Sequence, residues 1–127
     1  MPRRILIMPE FNEAKTIKAV LERCLPWVNQ IIVVDDGSTD ESGRLVAEMA
    51  SKHDKITMLS LSENQGMSGA LLAGFCYAWR LREGTHHWLS GDDWVITIDA
   101  DGQHLPEEIP NMIAEDRKST RLNSSHR

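Results

Sequence analysis

Short apolar runs alternate with amphipathic stretches along the first 115 residues of the chain. Four of these runs are rich in apolar and β-branched side chains, which is typical of buried strands. Elsewhere, apolar residues recur at intervals of three and four positions, which predicts helices with one buried side. The pattern predicts strands at 5–8, 31–34, 56–61 and 94–98, helices at 14–25, 38–53 and 66–82, and a further helix that opens at Pro106.

Local signals refine the predicted helices. Ser38 and Glu41 have the spacing of a capping box, which predicts a helix start at Ser38. The apolar stripes of the first and third helices predict the sides that pack in the core. These stripes are Ile17, Val20, Leu21 and Cys24 in the first helix, and Leu71, Leu72, Phe75, Cys76 and Trp79 in the third.

The alternation of strands and helices predicts an α/β fold, with a mostly parallel four-stranded sheet that carries helices on both faces. In such sheets, ligands bind at the carboxyl ends of the strands, near a switch in strand order. Polar segments follow the first, second and fourth predicted strands, at residues 9–13, 35–38 and 99–104. The sequence therefore predicts a ligand site at this edge of the sheet.

The segment Asp99-Ala100-Asp101 is the most specific of these signals. Side chains at i and i+2 point to the same side of an extended chain, so the two carboxylates repel each other unless a cation lies between them. Mg²⁺ and Mn²⁺ commonly take one or two carboxylates together with substrate phosphates. This spacing after a buried strand favours a metal–diphosphate site, with Gln103 orienting a carboxylate or a metal-bound water. The alternative is a solvated acidic turn.

Two further segments favour contacts with a nucleoside. After the second strand, a helix start explains the glycine turn but not the preceding pair, Asp35 and Asp36. A carboxylate at a strand end can accept a hydrogen bond from a nucleobase N–H, and Asp36 is favoured for that contact. After the first strand, Phe11 can pack against a base and Glu13 can bond a base or a ribose. That segment is equally consistent with a helix start capped by Asn12.

Other polar segments are interpreted structurally. The turn at 64–69 enters a helix, where anions are favoured, but it is at least as consistent with a tight strand-to-helix turn. His86 and His87 fall in a polar loop, and the pair Asp92–Asp93 is interpreted as a solvated turn. His104 follows the acidic segment, but the two aspartates suffice for a metal without it.

Composition narrows the class of protein. With 41% hydrophobic residues, the 127-residue chain predicts one soluble globular domain with its own core. Its 14 basic and 19 acidic residues give a formal net charge of −5, which disfavours a nucleic-acid binder. No apolar run approaches the roughly 20 residues that span a bilayer. Cys24 and Cys76 form no CxxC motif, and free reduced thiols favour the cytoplasm.

The motifs together resemble the family-two inverting glycosyltransferases of the GT-A fold, and within them the polyprenyl-phosphate (dolichyl-phosphate) sugar synthases. The matching stretches are MPEFNEAKTI, IIVVDDGSTDES, NQGMSGALLAGF and WVITIDADGQHLPEEIP. The resemblance implies a Rossmann-like half-sheet that binds a nucleotide-diphospho-sugar. It also implies transfer of a sugar, with inversion, from a UDP- or GDP-sugar to a polyprenyl phosphate. This transfer would be assisted by Mg²⁺ or Mn²⁺ at the cytoplasmic face of a membrane.

The resemblance further implies roles for individual residues. Asp99 and Asp101, with Gln103, match the metal site that grips the donor diphosphate, and Asp101 matches a catalytic position. A polyprenyl phosphate is already anionic, so the metal would stabilise the leaving nucleoside diphosphate without need of a general base. The positions that match nucleotide-sugar contacts are Pro9, Phe11, Glu13, Val34, Asp36, Asp99, Ala100 and Gln103.

The chain also departs from the family pattern. Glu10 stands where a small residue is common, and Met67 stands where many relatives carry a basic residue. From Asp116 onward the sequence reads DRKSTRLNSSHR, which resembles the translation of a sequencing-adapter oligonucleotide. We therefore expect residues 1–115 to form the nucleotide-sugar-binding half of a GT-A domain, and residues 116–127 to be a non-native, disordered tail.

Three functions stay open on the sequence alone. The first is the donor half of a polyprenyl-phosphate transferase, for which we expect little transferase activity from this chain. The second is a family-two transferase with a saccharide acceptor, and the third is a non-catalytic nucleotide-binding module. A sugar-1-phosphate nucleotidyltransferase is disfavoured, because residues 9–13 contain neither the glycine nor the arginine that its loop needs.

Overall fold

The computed structural model describes residues 3–83, 93–103 and 106–111. Its strands are β1 (Arg4–Glu10), β2 (Gln30–Asp36), β3 (Ile56–Leu61) and β4 (Trp94–Thr97), and its helices are α1 (Ile17–Cys24), α2 (Ser42–Lys52) and α3 (Gly66–Glu83). Two short 3-10 turns lie at Leu25–Trp27 and Pro106–Glu108. The four strands form one parallel sheet in the order β3-β2-β1-β4. The predicted parallel α/β fold is confirmed.

The sheet is covered on both faces. On one face, Leu6, Met8 and Val33 pack against α1 and α2 in a core that includes Leu21 and Val46. On the other face, α3 packs against the side chains of opposite orientation, which are Ile5, Ile7, Ile32 and Val34. Because successive side chains of a strand point to opposite faces, a strand buried on both faces reads as a continuous apolar run.

The first strand extends beyond its predicted end. The apolar run ends at Met8, but β1 continues through Pro9 to Glu10. Proline lacks an N–H and is tolerated where one side of a strand has no ladder partner. The pairing of β1 with β4 ends at Ile7, so β1 keeps only β2 as its ladder partner at Pro9. Glu10 is thereby held in register with Asp35.

The second helix starts later than the capping box predicts. The N-cap position of α2 is Glu41, which makes no side-chain cap hydrogen bond. The Ser38 hydroxyl instead donates to Glu10 Oε1 at 3.1 Å, and Asp40 Oδ1 accepts the Ser42 N–H at 2.8 Å. The predicted capping box is therefore wrong, because Ser38 joins two loops and caps no helix end.

The third helix buries a different side from the predicted one. Its inner side is small: Ala70 and Ala78 are fully buried, and a Cβ added to Gly74 would lie 2.6 Å from Ile7 Cγ2. These small residues let α3 approach the sheet closely, so Leu71 and Tyr77 are only partly buried and the helix's other large apolar side chains that the structure describes face outward. The predicted core stripe is wrong except at Leu71, which is partly buried against the sheet. The exposed members are Leu72, Phe75, Cys76 and Trp79.

The first helix buries the side that the sequence predicts. α1 is shorter than predicted, but its stripe of Ile17, Val20, Leu21 and Cys24 is buried as predicted.

The interpretation of Asp93 as part of a solvated turn is wrong. Its side chain is 3% exposed and pairs with Arg3 Nη2 at 2.9 Å. The pairing tethers the chain just before β4 to the chain just before β1.

Within the described residues, no helix is long and apolar enough to cross a membrane. Several sequence interpretations fall outside those residues and are not addressed by the structure. They concern His86, His87, Asp92, His104 and the tail at 116–127.

Candidate functional site

A cleft of about 310 Å³ opens at the carboxyl edge of the sheet. Its wall is formed by the ends of β1 and β2, by the segment after β4 and by the entry into α3. The lining residues are Pro9, Glu10, Phe11, Glu13, Asp36, Asn64, Gly66, Met67, Asp99, Ala100 and Asp101. This is the edge at which ligands bind in open parallel sheets.

Seven of the nine residues predicted for the site line this cleft, and two do not. Val34 is fully buried in the core between β2 and α3, so its side chain contributes to packing. The Gln103 side chain is exposed and lies off the cleft wall, while its backbone N–H donates to Asp101 Oδ1 at 3.0 Å. The seven lining residues are Pro9, Phe11, Glu13, Asp36, Asp99, Ala100 and Asp101.

The acidic segment after β4 is anchored by the start of α1. The Thr16 hydroxyl donates to the carbonyl oxygen of Ala100 at 2.7 Å. Gly102 follows with φ +82°, a left-handed conformation that favours glycine. The turn at Gly102 brings the Gln103 N–H back to Asp101. A helix start and a tight turn thus fix the segment that carries both aspartates.

The two aspartates at the end of β2 point to opposite faces of the sheet, as successive strand residues do. Asp36 lines the cleft on the α3 side, and its Oδ1 accepts the Gln65 N–H at 2.6 Å. Asp35 lies on the α2 side, where its Oδ1 accepts the Ser38 N–H at 3.2 Å. One of the pair can reach a ligand, and the other supports the loop beneath it.

Asn12 joins the loops that follow β1 and β2. Its φ of +53° is left-handed, a conformation that asparagine adopts more readily than most residues. Its N–H donates to Ser38 Oγ at 3.0 Å, and its Oδ1 accepts the Thr39 N–H at 2.8 Å. α1 begins at Ile17 with Thr16 at its N-cap position, so the alternative of a helix start capped by Asn12 is wrong.

Glu10 lines the cleft but was not among the predicted site residues. Its side chain is 2% exposed, and Oε1 accepts the Glu13 N–H at 3.2 Å and the Ser38 hydroxyl at 3.1 Å. Oε2 is buried and has no hydrogen-bond partner among the described residues. Burial raises the pKa of the Glu10 carboxyl above its ordinary value of 4.5, and Asp35 raises it further. The sequence offered one signal, an acid where a small residue is common.

The entry into α3 closes another part of the cleft wall. Asn64, Gly66 and Met67 line it, although the sequence favoured no ligand role for that turn. The Asn64 side-chain N–H donates to the carbonyl oxygen of Asp36 at 3.3 Å. Gly37 has φ +72°, and a Cβ there would lie 2.9 Å from the Asn64 backbone nitrogen. The turn after β2 and the turn before α3 therefore fit together closely at a position that requires glycine.

Among the described residues that line the cleft, the titratable side chains are all acidic. They are Glu10, Glu13, Asp36, Asp99 and Asp101. Their summed potential disfavours an uncompensated anion in the cleft. Among the described residues, no three His, Cys, Asp or Glu side chains are grouped so as to hold a metal ion on their own.

Comparison with known proteins identifies the family. The family model for Glycosyl transferase family 2 matches residues 5–122, and the chain belongs to that family. Undecaprenyl-phosphate 4-deoxy-4-formamido-L-arabinose transferases are among its relatives: that of Pectobacterium carotovorum is 38% identical over 117 residues, and that of Proteus mirabilis 34% over 116. The alignments cover 85% and 86% of this chain but 32% of each relative. The chain thus spans about a third of the length of these relatives.

Solved structures share the fold. A mannosyltransferase of Pyrobaculum calidifontis, in complex with GDP-Man and Mn²⁺, matches with a TM-score of 0.58 at 27% identity. The match covers 79% of this chain and 28% of that one. Staphylococcus aureus TarS 1–349, in complex with UDP, matches with a TM-score of 0.58 at 19% identity over 89% of this chain and 32% of TarS. The predicted membership in family two and the GT-A-like fold are confirmed.

Proposed function

We propose that this chain binds the nucleotide-sugar donor of an inverting family 2 glycosyltransferase. The complete enzyme transfers the sugar to a polyprenyl phosphate. The observation that carries the proposal is the composition of the cleft. Three segments far apart in sequence bring Phe11, Asp36 and the Asp99–Asp101 pair to one wall at the carboxyl edge of the sheet. That wall offers an aromatic surface, a carboxylate for a base and two oxygen ligands for a metal.

A divalent metal is supported by the chemistry of the cleft. Asp99 and Asp101 supply carboxylate oxygens, and the acidic wall disfavours a diphosphate that arrives without a cation. Two carboxylates suit Mg²⁺ or Mn²⁺ when substrate phosphates complete the coordination. Bound there, the metal would act as a Lewis acid for the leaving nucleoside diphosphate. The contact from Thr16 to Ala100 holds the two aspartates in place for it.

The nucleoside is proposed to lie at the β1–β2 end of the cleft. Phe11 is 43% exposed there, which leaves ring surface for stacking on a base. Asp36 is oriented by the Gln65 N–H and can accept a hydrogen bond from a base N–H. Uracil and guanine both carry a ring N–H, so this contact serves a UDP-sugar or a GDP-sugar. Pro9 and Glu13 complete the proposed nucleoside contacts.

A polyprenyl-phosphate acceptor is supported by the relatives rather than by the cleft. The proteins that share 38% identity with this chain are named for undecaprenyl phosphate. A phosphate acceptor is already anionic at neutral pH, so no side chain has to remove a proton from it. Asp101 would then contribute by binding the metal rather than by proton transfer. We propose that the whole enzyme works at the cytoplasmic face of a membrane, where donor and lipid acceptor meet.

Calorimetry of the 127-residue chain with GDP and with UDP tests the donor site. We expect one of the two nucleotides to bind in the presence of Mn²⁺ and to lose its heat when EDTA is added. Asp99→Asn removes a carboxylate ligand and should weaken binding at least roughly tenfold. Asp54→Asn, at an exposed turn before β3, is the matched control and should leave binding unchanged.

Equal heats for the native chain and Asp99→Asn would overturn the metal assignment. A chain that is folded by circular dichroism but binds neither nucleotide with Mn²⁺ would overturn the donor site itself. Circular dichroism of each variant separates a lost ligand from a lost fold.

A further inference from the structure

The carboxyl of Glu10 is surrounded by polar groups at the base of the cleft. Glu10 and Asp35 are register partners on adjacent central strands, and both side chains point to the α2 side of the sheet. The buried Ser42 lies at the start of α2 beside the same carboxyl. Two carboxyl groups and a hydroxyl therefore meet in a space where Glu10 is almost fully buried.

The hydrogen-bond donors around Glu10 bond atoms other than its Oε2. The Ser38 hydroxyl and the Glu13 N–H both donate to Oε1. The Ser42 hydroxyl and the Ser42 N–H both donate to Asp40 Oδ1, and the Ser38 N–H donates to Asp35 Oδ1. The Asp35 carboxylate beside Glu10 can only accept, and the Ser42 hydroxyl lowers the pKa of the Glu10 carboxyl by less than burial raises it. Glu10 Oε2 is buried and accepts no hydrogen bond from the described residues, so it is satisfied if it carries the proton itself and donates it to Asp35.

We propose that Glu10 is a positioning residue for the nucleotide end of the cleft and acts as a neutral carboxylic acid, with its Oε2–H shared with Asp35. The inference rests on the proposed function in that it takes the cleft to bind a nucleotide. In this state one side chain makes two connections. Oε1 ties the loop after β1 to the loop after β2, and Oε2–H ties β1 to β2 beneath them.

The connection matters for binding because the Glu10 network reaches residues on both sides of the nucleotide end. Oε1 accepts the Glu13 N–H and the Ser38 hydroxyl, and Ser38 Oγ in turn accepts the Asn12 N–H. On β2, Asp35 immediately precedes Asp36, the residue proposed to contact the base. Loss of the proton would leave two buried carboxylates side by side, and the loops would separate to admit water.

In the part of the chain that the structure describes, no cation is among the groups that act on the Glu10 carboxyl. The charged groups nearby are acidic: Asp40 bonds Ser42 before α2, Glu13 follows β1, Asp36 lies on the opposite face of β2, and Asp99 and Asp101 lie across the cleft. From α2, the groups beside the pair are Ser42 and Gly43. The nearest α2 guanidinium, that of Arg44, forms ion pairs with Glu41 and Glu48 on the exposed side of the helix. Protonation is therefore the means by which the described structure can neutralise Glu10.

Carboxyl NMR of the native chain, labelled with ¹³C at glutamate Cδ, measures the proton directly. The Glu10 resonance is assigned by its absence from the spectrum of Glu10→Gln. We expect its titration midpoint to lie above 4.5, the ordinary glutamate value. A midpoint at or below 4.5 overturns the proposal. This measurement needs no nucleotide and stands whether or not the proposed donor site is correct.

Nucleotide binding as a function of pH tests the positioning role. Glu10→Gln keeps an acceptor for Ser38 and Glu13 and supplies a permanent N–H donor to Asp35. We expect the native chain to lose Mg²⁺–nucleotide affinity roughly tenfold as Glu10 ionises, while Glu10→Gln retains its affinity. Glu22→Gln, on the exposed side of α1, should follow the native pH profile.

The two measurements separate the inference from the proposed function. A native chain and a Glu10→Gln variant with the same pH profile would overturn the positioning role, even though nucleotide binds. If neither protein binds nucleotide at any pH, the proposed function fails, and the carboxyl titration alone decides whether Glu10 carries the proton.

Discussion

The two faces of the sheet are packed by opposite means. On the α1–α2 face, the helices bury their large residues, such as Leu21 and Met49, in one continuous core with Met8 and Val33. On the α3 face, the helix buries alanine and glycine, and Leu72 and the neighbouring aromatic residues face outward. The first face is held by the volume of the helix side chains. On the second face, small helix residues let α3 lie close to the β-branched residues of the strands, and these close contacts hold the helix.

This difference has a consequence for the site. α1 packs in the core and also supports the cleft, since Thr16 at its N-cap position donates a hydrogen bond to the carbonyl oxygen of Ala100, a cleft-lining residue. α3 lies close to the sheet so that its first turn, with Gly66 and Met67, forms part of the cleft wall. The same close approach leaves Leu72, 64% exposed, outside the core. The apolar content of a helix therefore does not report which of its sides is buried.

The two cysteines give the largest expected contrast between the faces. Cys24 on α1 is buried, which raises the pKa of its thiol to about 12, whereas Cys76 on α3 is exposed. The thiolate is the reactive form, so at about pH 8 very little of Cys24 is reactive even when reagent reaches it. We expect an aromatic disulfide reagent to label one thiol per chain rapidly and the second only upon unfolding. Rapid labelling of both in the native chain would show that the α1 face is not closed.

Leucine truncations on the two faces should differ next most. Leu21→Ala removes a fully buried side chain from the larger core and should lower the free energy of unfolding by about 2–5 kcal/mol. Leu72→Ala removes an exposed side chain and should change it by less than about 0.5 kcal/mol. Urea unfolding followed by circular dichroism measures both. Similar losses in the two variants would contradict the assignment of α3's outer side.

Gly74→Ala sharpens the claim that closeness holds α3. An added Cβ would lie 2.6 Å from Ile7 Cγ2 and 3.1 Å from Val34 Cγ2, and both neighbours are fully buried. We expect a loss of about 1–3 kcal/mol, although alanine favours the helix intrinsically. In a double-mutant cycle, Ile7→Ala makes room for the new methyl group, so the combined loss should be smaller than the sum. Additive losses, or a stabilising Gly74→Ala, would show that α3 lies further from the sheet.

The sequence determined the strands, their parallel arrangement and the edge at which the cleft opens, because those depend on local periodicity and on the chemistry of short segments. Strands buried on both faces read as apolar runs, and the buried stripe of α1 followed the helical period. The place of the Asp99-Ala100-Asp101 segment at the cleft was predictable because the segment directly follows a buried strand. The resemblance to family two followed from four short motifs that occur in the order typical of the family.

Tertiary structure decided what depends on neighbours distant in the chain. The orientation of α3 was set by the fit of Gly74 against Ile7, which a count of apolar residues does not reveal. Ser38 has the sequence of a helix cap, but its hydroxyl donates to Glu10 and accepts the Asn12 N–H instead. Asp93 was predicted to be solvated, but it bonds Arg3, which lies 90 positions earlier in the chain. Glu10 lines the cleft in register with Asp35 on the neighbouring strand, where burial and the nearby carboxyl both raise the pKa of its side chain.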